Sequence, residues 1–211
     1  PEKVCVVSAI LTKATTYKFY TSKNTILSDN FIFMKKKIGL FWLRDDFRFT
    51  KNHGLIEATT NHDQVVVFYL YKKDTYKDQE AQKWWLSRSL FYFQKKLDNL
   101  NITLEIIETN SFKIFFDDLI KKQNFAIYWN KVYEPDYLKF DKYLLSKLKI
   151  ENVYHKRFKG NTLNEIDEIK KSDGAPFKVF TPFWRAAEKY YIEKIPPKEK
   201  IIKKCKKKIN Y

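Results

Sequence analysis

The sequence is poor in the residues that build turn-rich, disulfide-bonded or metal-binding proteins. Its 211 residues include four glycines, six prolines and three histidines, and the two cysteines, Cys5 and Cys205, lie near opposite ends. So few turn residues disfavour an all-β fold with many tight turns. Two distant cysteines exclude a disulfide framework or a cysteine-based zinc cluster. The scattered histidines have no metal-ligand spacing, so we predict no metal site. Because the cysteines form no disulfide framework, we expect a protein of the reducing cytoplasm.

Long hydrophobic runs and common nucleotide-binding motifs are also missing. No segment reaches the roughly 20 apolar residues that a membrane-spanning helix needs. The short apolar run at 4–11 is not followed by a clear signal-peptide cleavage site. Neither a G-x-G-x-x-G motif nor a Walker motif occurs anywhere in the chain. We therefore expect no membrane partner, and any nucleotide site must be built without a glycine-rich phosphate-binding loop. We also expect the protein to be a monomer.

Apolar residues and lysine are abundant. Hydrophobic residues make up 44% of the chain and aromatic residues 18%, which is enough for a sizeable core. The formal net charge is +16, and residues 194–211 alone hold eight lysines and one acid. This segment has two interpretations, a solvated linker or a nucleic-acid-binding arm, and the linker is the preferred one.

Strand-like and helix-like patterns alternate between residues 38 and 157. Continuous apolar runs predict buried strands, whereas apolar residues spaced by three and four predict helices. Ser111 is expected to cap the third helix, and Pro135 suits the first turn of the fourth. The order predicts an α/β fold, a doubly wound, mostly parallel five-stranded sheet with helices on both faces, Rossmann-like. The predicted strands are 38–43, 64–71, 103–107, 126–130 and 152–157, and the helices are 52–59, 82–99, 112–123 and 136–148.

A charged turn follows the first predicted strand. Arg44, Asp46 and Arg48 alternate in sign there, so they can pair and fix the geometry of the turn. Asn52 is well placed to cap the following helix. The carboxyl edge of such a sheet is also where ligands usually bind. A structural ion-pair cluster is the preferred interpretation, and direct ligand contact is the alternative.

Three segments carry a resemblance to a known family. They are LFWLRDDFRF at 40–49 with Asn52, YWNKVYEP at 128–135 followed by Asp141, and PFKVFTPFWR at 176–185. In this order and spacing they resemble the amino-terminal α/β domain of the DNA photolyase/cryptochrome family, most closely its bacterial dimer-repair enzymes. The third segment is the most specific of the three. The resemblance covers about residues 35–193.

The resemblance implies a light-driven function and a division into domains. In this family a reduced FAD, excited by blue light, passes an electron to a cyclobutane pyrimidine dimer flipped out of DNA, and the dimer splits. That chemistry belongs to a helical carboxyl-terminal domain, which is missing here, so we assign no catalytic residue and expect the chain alone to be inactive. Residues 1–33 are interpreted as an upstream leader before a natural start at Met34. Residues 34–193 form the antenna domain, and 194–211 form the linker toward the missing domain.

The resemblance also implies a second, light-harvesting chromophore, either a folate, a deazaflavin or another flavin. Asp136 and Tyr137 stand where folate-binding relatives have an Asn-Glu pair, and Val132 stands where deazaflavin-binding relatives have an acid. The identity of the chromophore therefore stays open. Phe68 and Leu70 have the alternative of being simple core residues. The candidate lining of the pocket is Phe68, Leu70, Asn130, Glu134, Asp136 and Tyr137.

An aromatic cluster around Pro182 has two interpretations. Phe180, Phe183 and Trp184 carry more aromatic surface than a loop needs unless something covers it. The cover is either the missing FAD-binding domain, through which damaged DNA would be bound, or this domain itself. Three other functions remain open: a cryptochrome-like light receptor, a stand-alone chromophore- or nucleotide-binding module, and a nucleic-acid-binding protein that uses the basic tail at 198–208.

Overall fold

The computed structural model describes residues 38–72, 75, 78–165, 168–189, 201–206 and 208. The predicted leader at 1–33 and the predicted start at Met34 lie outside these residues. Ten helices and strands are described, and all nine elements expected from the sequence are among them. In chain order they are β1 Ile38–Leu43, α1 His53–Asn61, β2 Gln64–Tyr71, α2 Glu80–Asp98, β3 Thr103–Glu108, α3 Phe112–Ile120, β4 Phe125–Asn130, α4 Pro135–Ile150, β5 His155–Phe158 and α5 Phe180–Glu188.

The five strands form one sheet in the order β3-β2-β1-β4-β5. Every neighbouring pair is parallel. In this register Trp42 of β1 lies beside Phe68 of β2 and Trp129 of β4. Because β1, β2 and β4 are covered on both faces of the sheet, their runs of apolar residues are continuous and not alternating. The predicted α/β fold class is confirmed, and the sheet is wholly parallel among the described strands.

Two hydrophobic clusters lie on opposite faces of the sheet, as the doubly wound prediction requires. Successive side chains of β1 alternate between them, with Phe41 and Leu43 on one side and Trp42 on the other. The first cluster packs under α1 and α2. The second packs under α3 and α4 and is rich in rings, with Trp42 at 4.8 Å from Phe116 between ring centroids. The sheet is therefore covered on both faces by the helices that connect its strands.

Helix ends show where local prediction succeeds and fails. Asn52 caps α1 through its side chain, which accepts a hydrogen bond from the Leu55 amide, and Pro135 occupies the first turn of α4, as expected. The predicted cap by Ser111 is wrong, since its side chain makes no capping hydrogen bond. The β5 strand begins at His155 and not at 152, because Asn152 has a φ of 52° and the Val153 amide still bonds the helix at Leu148. The short helix α5 was not predicted.

A carboxyl-terminal strap, defined as residues 201–206 and 208, lies against the first core cluster. Ile202 and Cys205 are buried in that cluster. The Cys205 amide donates to the Leu100 carbonyl at 2.8 Å, and the Asn101 side chain donates to the Cys205 carbonyl at 3.0 Å. The expectation that this segment is solvated is thus wrong for Ile202 and Cys205, which enter the core, whereas its described lysines are exposed. Its role as a linker toward another domain stays a prediction.

None of the helices in the described part of the chain is both long enough and apolar enough to cross a membrane.

Candidate functional site at the carboxyl edge of the sheet

The strand order reverses between β1 and β4. The chain runs from β1 outward to β2 and β3, then returns to the other side of β1 to form β4 and β5. In open parallel sheets the connections at such a point leave in opposite directions, and the crevice outside the carboxyl ends of the two strands binds ligands. The segments that follow β1 and β4 therefore form the candidate site, and they contain most of the residues singled out from the sequence.

Asn130, the last residue of β4, connects this strand by side-chain hydrogen bonds to the turn after β1 and to the start of α1. Its side chain is buried, and its Nδ2 donates to Asp46 Oδ2 at 3.0 Å and to Asn52 Oδ1 at 2.9 Å. Its Oδ1 accepts from the Gly54 amide at 3.1 Å. A Cβ at position 54 would lie 2.7 Å from Asn130 Oδ1 and 2.7 Å from Phe41 Cε2, so this approach requires glycine. Because the Asn130 side chain makes all these hydrogen bonds within the protein, its role here is structural.

Asp46 and Arg48 hold the turn after β1. The Asp46 carboxylate accepts from Arg48 Nε and from a second guanidinium nitrogen, each at 2.7 Å, in the two-pronged geometry that favours Arg. This bond raises the pKa of Arg48. The Asn52 side chain donates to the Arg48 carbonyl at 3.1 Å and so ties the turn to the cap of α1. These three residues lie together, as the sequence suggested.

Arg44 pairs with Asp141 of α4, and not with its neighbour Asp46. One guanidinium nitrogen of Arg44 lies 3.1 Å from Asp141 Oδ1, and another donates to the Asn130 carbonyl oxygen. Arg157 of β5 approaches the other oxygen of Asp141 at 3.2 Å. The side chains of Arg44 and Asp141 are 2% and 0% exposed. Burial lowers the pKa of Arg44, and the Asp141 carboxylate opposes that shift. The buried carboxylate thus pairs with two cations, one just after β1 and one on β5, across the intervening strand β4.

Aromatic rings enclose Arg44. Its guanidinium carbon lies 4.7 Å from the centroid of the Trp42 ring and 5.3 Å from that of Tyr137. Tyr137 lies 6.4 Å from Phe112 between ring centroids. Lys72, which follows β2, places its ammonium 5.7 Å from the Phe112 ring. Partly buried rings from the start of α3 and of α4 thus form an aromatic floor beside the carboxyl ends of β1 and β2.

Carboxylates form the outer rim of the same edge. Asp45, Glu134 and Asp136 are all exposed, and the Asp136 side chain is 98% exposed. Partial desolvation raises the pKa of Asp45, and the negative charge of Glu134 raises it further. These carboxylates would repel a bare phosphate group.

The structure separates the six predicted lining residues into three groups. Phe68 and Leu70 are buried in the second core cluster, and Asn130 is buried with its side chain hydrogen-bonded within the protein. Tyr137 lies at the aromatic floor, whereas Glu134 and Asp136 lie on the rim. Only the last three have surface at the edge to offer a ligand, and the binding role of all six stays a prediction. In the described part of the chain, no three or more His, Cys, Asp or Glu side chains are grouped to hold a metal ion.

The predicted interface residues lie on α5. Phe180 is 71% exposed and Trp184 is 41% exposed, with their rings stacked at a centroid distance of 6.2 Å. Phe183 is half-buried and contacts Phe177. The cluster is thus open to solvent on one side, and what covers it stays a prediction.

Sequence reasoning missed three features. It gave no role to Gly54 or Arg157, whose partners lie on other strands and helices. It also passed over the outward face of α2, where Trp84 and Trp85 are more than half exposed. For α2 a signal existed, because two aromatic pairs recur at a spacing of seven on the side opposite its leucines.

A family model described as DNA photolyase matches residues 39–200 of the chain. The deoxyribodipyrimidine photo-lyase of Agrobacterium fabrum (strain C58 / ATCC 33970) is 30% identical over 149 residues, which are 71% of this chain and 31% of that protein. That of Synechococcus sp. (strain ATCC 27144 / PCC 6301 / SAUG 1402/1) is 24% identical over 149 residues, 69% of this chain and 31% of that protein. The chain therefore spans about a third of the length of these curated relatives.

Solved structures show the same fold. A bacterial class III photolyase from Agrobacterium tumefaciens has a TM-score of 0.71 at 26% identity, covering 87% of this chain and 38% of the other. An archaeal photolyase from Sulfolobus tokodaii, solved with two FAD molecules, has a TM-score of 0.63 at 17% identity; the match covers 79% of this chain and 37% of that one. A cryptochrome from Synechocystis sp. PCC6803 has a TM-score of 0.62 at 21% identity; the match covers 79% of this chain and 36% of that one. With the family match over more than half of its residues, the chain belongs to the DNA photolyase family.

Proposed function

We propose that this chain is the antenna domain of a DNA photolyase that repairs cyclobutane pyrimidine dimers in blue light. The observation that carries the proposal is the match to DNA photolyase over residues 39–200, combined with a span of about a third of the photo-lyase relatives. In the whole protein, FAD would supply the light-driven electron transfer from a part of the polypeptide outside the segment that matches these relatives. The described residues give no FAD site with a phosphate-binding glycine loop, and we assign no catalytic residue to them.

The antenna role rests on the edge between β1 and β4. Tyr137 and Phe112 give a surface on which a ring can stack, and Glu134 and Asp45 give acceptors for its N–H groups. Arg44 is fixed underneath by Asp141, so it would support the floor and not contact a ligand directly. The candidate chromophores are a folate, a deazaflavin and another flavin such as FAD, and one fold relative was solved with two FAD molecules.

The test is binding of defined chromophores to the purified chain. Methenyltetrahydrofolate and FAD are titrated separately, and the change in their fluorescence gives a dissociation constant. We expect one of them to bind with one molecule per chain. Tyr137→Ala should weaken that binding at least tenfold, because the stacking ring is lost. Tyr154→Ala is the matched control, since it removes the same ring from a partly exposed residue just before β5, at the opposite, amino edge of the sheet. Absence of binding by both chromophores would contradict the antenna role.

The purified chain alone should not repair DNA. Dimer-containing oligonucleotide, illuminated with blue light in the presence of the chain, free FAD and a reductant, should keep its dimers. Light-dependent repair under these conditions would refute the assignment of the chemistry to a separate domain.

A light receptor is the second candidate function. It rests on the fold similarity to a cryptochrome, which does not separate the two functions because both share this domain. Dimer repair by a protein that contains this domain together with an FAD-binding domain distinguishes them, since a receptor without repair activity would bind FAD and leave the dimers intact.

A further inference from the structure

The outward face of α2 is aromatic. The α2 aromatic face, as we define it, consists of Trp84, Trp85, Phe91 and Tyr92, and these side chains are 61%, 64%, 38% and 60% exposed. On the opposite side of the helix, Leu90, Phe93 and Leu97 are buried in the first core cluster, and Leu86 packs against it. The two sets are kept apart by the helical period, since Trp84 and Phe91, like Trp85 and Tyr92, are two turns apart on the same side.

A helix with large apolar side chains on both faces is normally covered on both. The four rings of the α2 aromatic face expose on the order of 400 Å² of mainly apolar surface, if a free aromatic side chain exposes about 200 Å². A continuous patch of this size is as large as the largest found on typical monomeric proteins, and such patches mark sites of interaction. Neither the core nor the strap covers it.

Cations lie between the rings. The Arg88 guanidinium is 5.6 Å from the Trp84 ring, and the Lys95 ammonium is 4.4 Å from the Phe91 ring. Aromatic residues and arginine are the side chains most enriched in the centres of protein–protein interfaces. Bases of nucleic acids also stack on such rings, but sequence-independent binders do so inside a basic groove that follows the backbone. The exposed side of one helix has no walls, so a protein surface is favoured as the occupant.

The strap ends beside this helix. Lys208 Nζ lies 2.6 Å from Asp98 Oδ1 at the last residue of α2, and the Cys205 amide bonds Leu100 just beyond it. At about 1.5 Å per residue, Phe91 lies roughly 10 Å along the axis from Asp98. A polypeptide that continued from the strap would therefore start next to the α2 aromatic face. The photo-lyase relative from Agrobacterium fabrum has more than two thirds of its length outside the matching segment.

We propose that the α2 aromatic face is the docking surface for the additional polypeptide of the photolyase, the part that would carry FAD. This inference rests on the proposed function and adds a contact that the resemblance did not suggest. The partner surface should be apolar, to cover the rings, and should present carboxylates toward Arg88 and Lys95. The docking would hold the antenna domain against the catalytic domain independently of the α5 cluster.

The experiment uses two proteins, the 211-residue chain and a chimera. In the chimera, residues 38–208 replace the matching segment of the Agrobacterium fabrum photo-lyase. Hydroxyl-radical footprinting with mass spectrometry measures oxidation of Trp84 and Trp85 in both. The double variant Trp84→Gln/Trp85→Gln is made in both backgrounds, and thermal unfolding midpoints are recorded. The matched control is Ile114→Gln/Ile150→Gln, which changes two side chains that are 61% and 77% exposed on α3 and α4.

Docking predicts that both tryptophans are oxidised in the chain and at least fivefold less in the chimera. It also predicts that the tryptophan variant lowers the unfolding midpoint of the chimera by several degrees and leaves that of the chain within about one degree, whereas the control shifts neither. Equal oxidation in both proteins, or equal shifts in both, would overturn the proposal.

Other occupants give other results. Loss of self-association of the chain in the tryptophan variant would identify a second copy as the occupant, and loss of affinity for a thymidine oligonucleotide would identify single-stranded nucleic acid. Either outcome overturns the proposal. A chimera that binds FAD and repairs dimers but leaves the tryptophans exposed contradicts only the docking. A chimera that folds and lacks FAD or repair contradicts the proposed function.

Discussion

The Arg44–Asp141 pair should be among the most sensitive positions of the domain. Asp141→Asn removes the negative charge at a site where its own side chain is 0% exposed and that of Arg44 is 2% exposed. Arg44 is then left charged and buried between two rings, and Arg157 loses its partner at 3.2 Å. Removing one member of a buried ion pair costs about 3–5 kcal/mol. A domain with about 5–15 kcal/mol of total stability would lose a large part of it.

Urea denaturation followed by circular dichroism measures this loss. With a slope of about 2 kcal/mol per molar urea, a loss of about 4 kcal/mol lowers the midpoint by about 2 M. The matched control is Asp118→Asn, which breaks an exposed pair with Lys121 and should cost less than about 1 kcal/mol. The double variant Arg44→Met/Asp141→Leu should recover most of the stability, because it leaves no buried charge. A loss for Asp141→Asn no larger than that of the control would refute the reasoning.

Three further predictions concern other parts of the chain. Gly54→Ala should cost about 1–3 kcal/mol, because its Cβ would press on Asn130 and Phe41, and an unchanged or raised free energy of unfolding would contradict the packing argument. In a Cys5→Ser background, Cys205 should react with a thiol reagent far more slowly at pH 8 than after unfolding, because burial raises the pKa of its thiol. The folded thiol keeps its proton to higher pH than the unfolded one. The contribution of Cys205 to stability is therefore complete below about pH 8.5 and declines as the pH rises. Fast reaction in the native state would mean that the strap is detached. Trp184→Asp should reduce aggregation, measured by light scattering, with little change in the unfolding midpoint, and a clear loss of folding would show that Trp184 packs within this domain.

The fold was predictable because its strands are buried on both faces. Val65, Val66 and Val67 form a continuous apolar run, which a parallel sheet covered by helices requires. The helix positions followed from the spacing of residues such as Leu90, Phe93 and Leu97. The strap was not predictable in the same way, since its two apolar residues are separated by lysines and their partners lie about a hundred residues earlier.

The site was predictable only where its contacts are local. Asp46, Arg48 and Asn52 lie within one turn, so charge alternation and capping preference were sufficient to bring them together. Arg44 sits two residues from Asp46, but its partner Asp141 is 97 positions away on α4. The position of Asn130 was unpredictable for the same reason, because the three hydrogen-bond partners of its side chain all lie more than 70 positions earlier. Such contacts depend on which strands become neighbours, and that follows from the topology and not from a short segment.

We propose that this chain supplies the antenna domain of a light-driven DNA repair enzyme. The most direct measurement is the rate of blue-light dimer repair by the chimera described above at a series of wavelengths, with and without the chromophore that the chain binds. An antenna role predicts that the bound chromophore raises the repair rate at the wavelengths it absorbs, and that the 211-residue chain alone repairs nothing. An unchanged rate, or repair by the chain alone, would contradict this role.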